Sequence, residues 1–303
     1  MNFRETLPRS GETVAGGDPC LQDRIRTYYR ETQFDYRAAW YSRDSLALHF
    51  GYWDSRTRSH AEALQNLNRE LAVFMGLRPG QRMLDAGCGI GGSSLWLARH
   101  YGARVTGITL APHQVEQARR ASQYSGIKAG FELADYHSTP FADASFDGYW
   151  AMESLCHSPD KPRALREAAR LLVPGGRIGI AEYLRAARPL PRKQERGLHD
   201  WLDDWAIPDI ATEAEWRAWL EQAGFENIRV LDITEHVRPS LRRLQRMAWF
   251  WGFGEWLLRL MRLRTAAQHA NIRGSRRQGA ALTAGSWRYQ LITATRRAEK
   301  ADA

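Results

Sequence analysis

Three glycines at the spacing G-x-G-x-x-G, Gly87, Gly89 and Gly92, form the first candidate binding site in the sequence. Glycine has no Cβ, so such a loop lets backbone N–H groups approach a ligand closely, and the start of a following helix favours negative charge. A loop of this kind suits a nicotinamide dinucleotide, a flavin dinucleotide or S-adenosylmethionine equally well. The glycines therefore predict a nucleoside cofactor and leave its identity open.

The residues that flank the glycine loop discriminate between these cofactors. A dinucleotide site is expected to carry Asp or Glu about 20 residues after the first glycine, where the acid binds a ribose hydroxyl. Residues 107–112 read GITLAP and hold neither an acid nor an arginine. Asp85, which precedes Gly87, would repel a pyrophosphate but attract the charged amino-acid end of S-adenosylmethionine. The flanking residues therefore favour the sulfonium cofactor.

A second pair of reactive side chains, Glu153 and His157, lies in the segment MESLCH. The segment follows a predicted strand, and open α/β sheets bind ligands outside the carboxyl ends of their strands. Either side chain could act as the base that removes a proton from a substrate. Two alternatives stay open here: Glu153 pairs locally, and His157 is an ordinary hydrogen-bonded turn histidine.

A regular alternation of strands and helices has to position these residues. It begins after Gly80 with the strand RMLDA and runs to the strand RIGIAEY, which ends at Tyr183. Parallel neighbours need crossover connections, so the pattern predicts an α/β fold with a doubly wound, mostly parallel, Rossmann-like sheet. The later segments NIRVLDI and SWRYQLITATR complete a seven-stranded sheet, and the second of them alternates like an edge strand.

The chain divides into five predicted parts around this sheet. Helical patterns flank the cofactor core on both sides, and connections on a rigid sheet commonly carry specificity. The parts are a loose tail at 1–20, an N-terminal helical cap at 21–80, a Rossmann-like core at 81–185, a helical lid and substrate-binding region with the sixth strand at 186–265, and a C-terminal segment with the last strand at 266–303.

Composition and charge limit the classes of function. The 303 residues are 44% hydrophobic and carry a formal net charge of +9, which suits nucleic acid, an anionic membrane surface or an anionic substrate. The cysteines Cys20, Cys88 and Cys156 have no zinc-site spacing, which predicts no metal site and a reducing, cytoplasmic compartment. Residues 1–20 lack the apolar run of a signal peptide, and the apolar run at 247–261 is too short to span a bilayer.

Four segments together resemble one known family. Residues 84–92 (LDAGCGIGG), 131–136 (FELADY), 145–157 (SFDGYWAMESLCH) and 169–183 (ARLLVPGGRIGIAEY) are similar to successive motifs of the class I S-adenosylmethionine-dependent methyltransferases. Segments 88–118 and 152–161 most resemble the tocopherol, sterol and cyclopropane-lipid methyltransferase branch, whose members act on hydrophobic, often isoprenoid substrates. The resemblance extends over residues 81–183 and implies the same Rossmann-like core.

The resemblance also implies which residues hold S-adenosylmethionine. Those implied for its methionine part are Asp85, Gly87, Cys88 and Gly89. Those implied for its ribose hydroxyls are Thr109, Leu110 and Gln114, where glutamine stands in place of the usual acid. This sequence departs from the cyclopropane-lipid relatives at Ala111, where they have serine, but the amide of Gln114 can still hydrogen-bond a diol.

The remaining cofactor contacts implied by the resemblance involve the adenine ring and the cap. Asp135 would accept a hydrogen bond from the adenine amino group, and Tyr136 would cover the ring. The cap aromatics Tyr28 and Trp53 would close over the cofactor, where an aromatic face attracts a desolvated cation. His49 is a further histidine of the cap that could serve as a base, although a lone histidine is more often structural.

The resemblance implies an enzyme that methylates a small hydrophobic molecule, with a carbon acceptor placed ahead of oxygen or nitrogen. Methyl transfer needs acceptor, carbon and sulfur aligned in a dry pocket. An oxygen or nitrogen acceptor needs a base, whereas an alkene acceptor forms a carbocation that must be stabilised. The basic C-terminal half allows a phosphate-bearing substrate or a peripheral membrane contact, and a homodimer is a further expectation.

Three rival functions follow from the same residues. A nucleic-acid methyltransferase would suit the positive charge, but AMESL stands where amino-methylating DNA enzymes carry a D/N-P-P-Y/F pattern, so no nucleic-acid partner is expected. A non-catalytic binding module or a methyltransferase-like cyclase would keep the cofactor loop without methyl transfer. An NAD oxidoreductase is the third rival, and the flanks of the glycine loop disfavour it.

Overall fold

The computed structural model describes residues 23, 24, 26–28, 30–32, 46–260 and 265–298, together with their side chains except at 250–260. The predicted tail at 1–20 lies outside these residues. The helices described are α1 (His60–Met75), α2 (Gly92–Tyr101), α3 (Pro112–Ser125), α4 (Lys161–Leu171), α5 (Arg192–Asp204), α6 (Glu213–Gln222), α7 (Thr234–Leu260) and α8 (Ala266–Thr283). The strands are β1 (Arg82–Ala86), β2 (Arg104–Thr109), β3 (Gly130–Leu133), β4 (Phe146–Met152), β5 (Leu172–Arg185), β6 (Phe225–Asp232) and β7 (Trp287–Arg296).

The seven strands form one sheet in the order β3-β2-β1-β4-β5-β7-β6. The first five strands pair in parallel, and β7 runs antiparallel to both of its neighbours. Helices connect β1 to β2, β2 to β3 and β4 to β5, as parallel neighbours require, whereas residues 134–145 join β3 to β4 without a helix. The predicted doubly wound, mostly parallel, seven-stranded Rossmann-like fold is confirmed.

The strand β7 differs from the predicted edge strand, because it lies between β5 and β6. Its apolar side chains are fully buried, with Tyr289 and Leu291 at 0% exposure. The polar side chains of Gln290 and Thr293 are buried as well, and Thr293 Oγ1 donates to the backbone oxygen of Ile178 at 2.9 Å. The alternation of apolar and polar residues in this segment therefore did not indicate an exposed face of β7. The strand at this edge of the sheet is β6.

The strand order reverses between β1 and β4, and this reversal creates the crevice in which doubly wound sheets bind ligands. Asp85 in β1 is in register with Gly107 of β2 on one side and with Trp150 of β4 on the other. The loop that follows β1 and the turn that follows β4 consequently meet above the same crevice. The fold thus brings the two candidate sites of the sequence together.

Helix α1 belongs to the predicted cap but packs against the sheet. It begins after Ser59, whose side chain accepts from the N–H of Glu62, and it ends at Gly76 with a φ of 67°. Its apolar face is fully buried, and a Cβ at Gly179 of β5 would lie 2.8 Å from the sulfur of Met75. The absence of a side chain at this glycine lets the helix lie close to the strand.

The crevice is covered by residues 46–53, here named the roof segment, together with α7 and α8. The N–H of Gly51 donates to Ser240 Oγ of α7 at 3.0 Å, and the N–H of Trp53 donates to the oxygen of His236 at 2.9 Å. Earlier in the chain, the hydroxyl of Tyr28 donates to Asn271 Oδ1 of α8 at 2.8 Å. Within the described part of the chain, no helix is long and apolar enough to cross a membrane.

Candidate functional site

A cavity of about 200 Å³ lies in the crevice, between the carboxyl ends of the strands and the roof segment. It brings together most of the residues that the sequence pointed to. Those in its wall are Tyr28, Asp85, Gly87, Cys88, Gly89, Thr109, Leu110, Gln114, Tyr136, Glu153 and His157. Asp135 and Trp53 are not among the residues that line it. The roles predicted for these residues in cofactor binding and catalysis stay predictions.

Asp85 lies at the end of β1 and is only 2% exposed. Its Oδ2 accepts a hydrogen bond of 2.6 Å from Ser94 Oγ, near the start of α2. Burial raises the pKa of Asp85 to about 7, and the hydrogen bonds from Ser94 oppose this rise. A carboxyl group in this state gains charge readily when a cation enters the cavity.

The glycines of the loop satisfy two different requirements. Gly87 has a φ of 86°, and a Cβ there would lie 2.3 Å from the Cβ of Ser154 in the turn after β4. Gly92 is different, because a Cβ there would lie 2.6 Å from the carbonyl carbon of Leu46 in the roof segment. The missing side chain at Gly87 therefore lets the loop after β1 lie against the turn after β4, and the missing side chain at Gly92 lets the roof segment pack on α2.

Thr109 and Gln114 form a buried polar pair at the end of β2. Thr109 Oγ1 donates to Gln114 Oε1 at 2.7 Å, so the amide of Gln114 keeps its two N–H donors for other partners. Beside them the guanidinium of Arg26 donates to the backbone oxygen of Leu110 at 3.2 Å. The predicted contact of this pair with the ribose diol stays a prediction.

Asp135 is directed away from the cavity wall, into a chain of hydrogen bonds. Its Oδ1 accepts from His137 Nδ1 at 2.6 Å, and His137 Nε2 lies 2.7 Å from Ser158 Oγ. The neighbouring Tyr136 lines the cavity, and its hydroxyl donates to the oxygen of Ser154 at 3.2 Å. The loop after β3 is thus tied to the turn after β4, and the predicted contact of Asp135 with adenine remains a prediction.

The cap aromatics take separate positions. Tyr28 is 5% exposed and lines the cavity. Trp53 instead donates from Nε1 to Ser240 Oγ at 2.8 Å and so fixes the roof segment to α7. His49, the further histidine of the cap, is hydrogen-bonded at both ring nitrogens: Nδ1 donates to the oxygen of Phe50 at 2.7 Å, and Nε2 accepts from Asn68 at 3.5 Å. His49 also lines the cavity, and its predicted role as a second base stays a prediction.

Glu153 opens the turn after β4 with a left-handed φ of 49°, a conformation that costs free energy in a non-glycine residue. Its Oε1 accepts from the N–H of Phe50 at 2.6 Å and from the hydroxyl of Tyr289 at 2.8 Å. Its Oε2 accepts from the hydroxyl of Tyr183. Burial raises the pKa of Glu153 to about 7, against these three hydrogen bonds. The carboxylate thus links the roof segment to β5 and β7.

The residue pattern did not predict these partners of Glu153. Phe50 donates through its backbone, which no side-chain pattern can reveal. Tyr183 and Tyr289 sit in strands as ordinary buried aromatics, and their rings pack edge to face at 5.5 Å. The break in the helical pattern at HFGYWD was the one available signal that the chain near residue 50 has a special conformation.

His157 ends the turn after β4 and is 8% exposed. Its Nδ1 lies 3.3 Å from the backbone oxygen of Ala206, and a carbonyl oxygen can only accept, so Nδ1 carries the proton. Burial lowers the pKa of His157 to about 4. The imidazole is consequently neutral near pH 7, with its basic lone pair on Nε2.

Replacing Glu153 by glutamine should spare cofactor binding and lower kcat by about 10- to 100-fold, because a misplaced roof segment misaligns the reacting groups. The glutamine amide retains one acceptor oxygen but cannot accept from all three donors at once. Calorimetric titration with S-adenosylhomocysteine and initial-rate measurements separate the two effects. Tyr183→Phe is the matched control, since it removes one donor and should cost less. An unchanged kcat in Glu153→Gln would show that Glu153 has no role in the reaction.

The part of the cavity wall formed by α7, α8 and the segment after α5 is mostly apolar, with Asn271 and Ser275 as its polar residues. Its apolar residues are Leu244, Met247, Ala248, Ile272, Trp205 and Ile207. Among the described residues of the wall, Arg26 is the only arginine or lysine, and it is bound to Leu110. The described residues contain no cluster of His, Cys, Asp or Glu that could hold a metal ion.

Comparison with known proteins places the chain among relatives of known activity. The family described as a methyltransferase domain matches residues 84–180. The O-methyltransferase cnsE of Penicillium expansum is 36% identical over 255 residues, which cover 82% of this chain and 85% of that protein. The chloroplastic tocopherol O-methyltransferase of Arabidopsis thaliana is 31% identical over 257 residues, which cover 78% of this chain and 73% of the relative.

A solved structure extends the similarity to almost the whole chain. The crystal structure of the 4+2 cyclase SpnF superposes with a TM-score of 0.77 and 25% identity, covering 93% of this chain and 99% of that one. The sequence relatives, the strand order and the cavity at the point where that order reverses all agree. The chain therefore belongs to the class I S-adenosylmethionine-dependent methyltransferases, in the branch that includes the tocopherol methyltransferases.

Proposed function

We propose that this methyltransferase methylates a hydroxyl oxygen of a small, uncharged, hydrophobic molecule. The observation that carries the proposal is His157, a neutral imidazole in the cavity wall whose Nδ1 proton is committed to Ala206. Its other nitrogen is the basic one and can take the proton of a hydroxyl. The proposal differs from the sequence-based preference for carbon, and the chemistry of this histidine is the reason.

The residues of the cavity wall match the charged, polar and aromatic groups of S-adenosylmethionine. Asp85 supplies a carboxyl for the ammonium group, and the Gln114 amide with Thr109 supplies polar groups for the ribose diol. Tyr136 supplies an aromatic surface next to these groups. When bound, the cofactor provides an electrophilic methyl group on a sulfonium. The chain's own residues need only align the acceptor, exclude water and receive a proton.

His157 is the group to which we assign the proton. A hydroxyl is a weak nucleophile, and general-base assistance typically accelerates such a reaction by 10²–10⁴-fold. Because the pKa of His157 lies at about 4, the imidazole is in its basic form throughout the neutral pH range. Glu153 is less suited to this task, since its two oxygens already accept from Phe50, Tyr183 and Tyr289.

The acceptor is proposed to be uncharged because of the side chains around it. A diphosphate needs cations or a metal ion to offset its charge when it leaves water. The wall residues from α7, α8 and the segment after α5 carry no charge, and Arg26, the one arginine or lysine among the described wall residues, donates to Leu110. The phosphate-bearing substrate expected from the basic C-terminal half is therefore not supported by the wall residues described here.

Three arginines of the C-terminal half form ion pairs within the protein. Arg273 and Arg277 both bind Asp204, which is 1% exposed in its side chain, and Arg238 binds Glu235. Their positive charge is thus largely compensated locally. A net charge of +9 therefore gives no direct information about the substrate.

Carbon methylation is the second candidate, because aromatic rings surround Glu153. Phe50 lies 5.9 Å from Tyr183 and from Tyr289, ring centre to ring centre, and such faces stabilise a carbocation by cation–π attraction. A methyltransferase-like cyclase and a non-catalytic module remain further outcomes to be tested. The sequence relatives reported above are named O-methyltransferases, which supports the oxygen acceptor.

The test is to incubate the enzyme with methyl-labelled cofactor and matched pairs of acceptors. Each pair consists of a hydrophobic alcohol or phenol and its diphosphate or hydroxyl-free alkene counterpart. We expect label in a methyl ether of the hydroxyl compounds only, identified by mass and by its carbon shift. Label on carbon, or only in the diphosphates, would contradict the proposal. Labelled tRNA or duplex DNA would favour the nucleic-acid rival.

A peripheral membrane contact is proposed for one side of α7. Arg242, Arg246 and Trp249 are exposed there, Trp249 to 71%, while Leu244 and Met247 of the same helix line the cavity. Basic and aromatic side chains together suit an anionic lipid surface. Cosedimentation with anionic vesicles but not with neutral ones checks this contact. The homodimer and the cytoplasmic location stay predictions, for which light scattering and cell fractionation are the measurements.

A further inference from the structure

Lys161, the first residue of α4, is a buried cation outside the cavity wall, with 6% of its surface exposed. Its Nζ donates to the backbone oxygen of Ser158 at 2.9 Å and to that of Asp209 at 2.8 Å. Burying an ammonium group is costly unless hydrogen bonds compensate it. These two oxygens belong to separate segments, the turn after β4 and the segment 205–210, so Lys161 connects the two.

The same two segments meet at His157. Its Nδ1 donates to the oxygen of Ala206 at 3.3 Å, and this contact decides which ring nitrogen carries the proton. Ala206 has a left-handed φ of 53°, a conformation that persists only when the surroundings enforce it. The N–H of Ala206 donates to Asp203 on one side, and Lys161 holds Asp209 on the other.

The pKa of Lys161 is lowered by burial, and the charges around the ammonium group oppose this only in part. Glu182 is 1% exposed and lies below the turn, where its Oε2 accepts from the N–H of Cys156 at 2.9 Å. Burial lowers the pKa of Lys161, while the charges of Cys156, Glu182 and Asp209 raise it. Asp209 is itself fixed by Arg185 and Arg188. Glu182 and Lys161 both bind the turn of His157, and Lys161 also binds the segment 205–210 through the oxygen of Asp209.

We propose that Lys161 is a positioning residue for methyl transfer: it clamps the segment 205–210 to the turn after β4 and so keeps the carbonyl of Ala206 on Nδ1 of His157. This inference rests on the proposed role of His157 as the base. Its consequence is that Nε2 stays unprotonated in the resting enzyme. When the clamp is lost, the ring proton distributes over both nitrogens, and part of the enzyme has no base facing the acceptor.

The test compares Lys161→Met, which removes all donors, with Lys161→Arg, which keeps a cation and its donors. Ring-¹⁵N spectra of histidine-labelled protein report the tautomer of His157 directly, assigned by its loss in His157→Ala. We expect the Nδ1-protonated signal in the parent, a mixture of tautomers in Lys161→Met, and recovery in Lys161→Arg. We also expect kcat to fall about 10- to 100-fold in Lys161→Met with the KM for the cofactor unchanged.

Several outcomes would overturn the inference. Unchanged ¹⁵N signals in Lys161→Met would show that the lysine does not act through His157, whatever happens to kcat. A further loss of kcat when Lys161→Met is added to His157→Ala would show the same, because a clamp that acts only through the histidine has nothing left to position. The exposed Lys128→Met is the matched control and should leave both readouts unchanged.

The spectral test also separates this inference from the proposed function. If His157→Ala retains full activity, the histidine is not the base, yet the tautomer change in Lys161→Met can still be observed or refuted. If Lys161→Met fails to fold, Lys161→Gln, which keeps one amide donor group, replaces it with the same expected spectra. Binding of S-adenosylhomocysteine and the melting temperature identify folded variants in each case.

Discussion

Replacing His157 by alanine should lower kcat by about 10²- to 10⁴-fold while the affinity for S-adenosylmethionine changes little. The imidazole is placed to accept the proton of a hydroxyl at Nε2, because Nδ1 donates to Ala206. Without the imidazole, a water molecule or another group near the bound cofactor would have to accept that proton. Initial rates with a saturating acceptor, together with calorimetric titration of S-adenosylhomocysteine, measure the two quantities separately.

The pH dependence of kcat gives a second test of the role of His157. Burial lowers the pKa of His157 to about 4, so the basic form persists as the pH falls from 8 to about 5 and is lost only below that. In the parent enzyme, protonation of His157 should therefore not lower kcat between pH 8 and about pH 5. His199→Ala, at an exposed histidine of α5, is the control for removal of an imidazole. Full activity of His157→Ala would exclude a proton-accepting role.

Replacing Asp85 by asparagine should weaken the binding of S-adenosylmethionine by about 10- to 100-fold, because the ammonium group loses a charged hydrogen-bond acceptor in a buried place. Asparagine keeps the shape and one acceptor oxygen for Ser94 Oγ, which lies 2.6 Å from Asp85 in the parent. The loss therefore reports charge and not packing. Equal affinities of parent and variant would show that Asp85 does not contact the cofactor's charge.

The affinity of the parent should also depend on pH in a defined direction. Burial raises the pKa of Asp85 to about 7, and a cationic ligand binds the deprotonated form better, so affinity is highest above pH 7 and falls as the pH drops below it. Asp85→Asn should not show this dependence. Ser94→Ala is the matched control, since loss of its hydrogen bond removes an influence that lowers the pKa. Its midpoint should therefore lie at a higher pH.

The sequence by itself determined the fold and predicted residues that line the cavity, because both depend on local patterns. Strand and helix periodicity, with parallel strands that need crossovers, was sufficient for the sheet from β1 to β5. The spacing of Gly87 and Gly89 and the acid at Asp85 marked the residues that now line one cavity. The position of β7 was read wrongly, since alternation looks the same in an edge strand and in a strand with buried polar groups.

Only the tertiary structure decided how the two candidate bases differ. Glu153 and His157 lie in one short turn, and their residue types made both of them candidates. Their partners come from distant parts of the chain: Phe50 and Tyr289 reach Glu153, whereas Ala206 reaches His157. Burial and hydrogen bonding by such partners set the proton positions, and neither can be read from spacing along the chain. The fold thus holds the carboxylate of Glu153 in a network of hydrogen bonds and keeps the imidazole of His157 neutral.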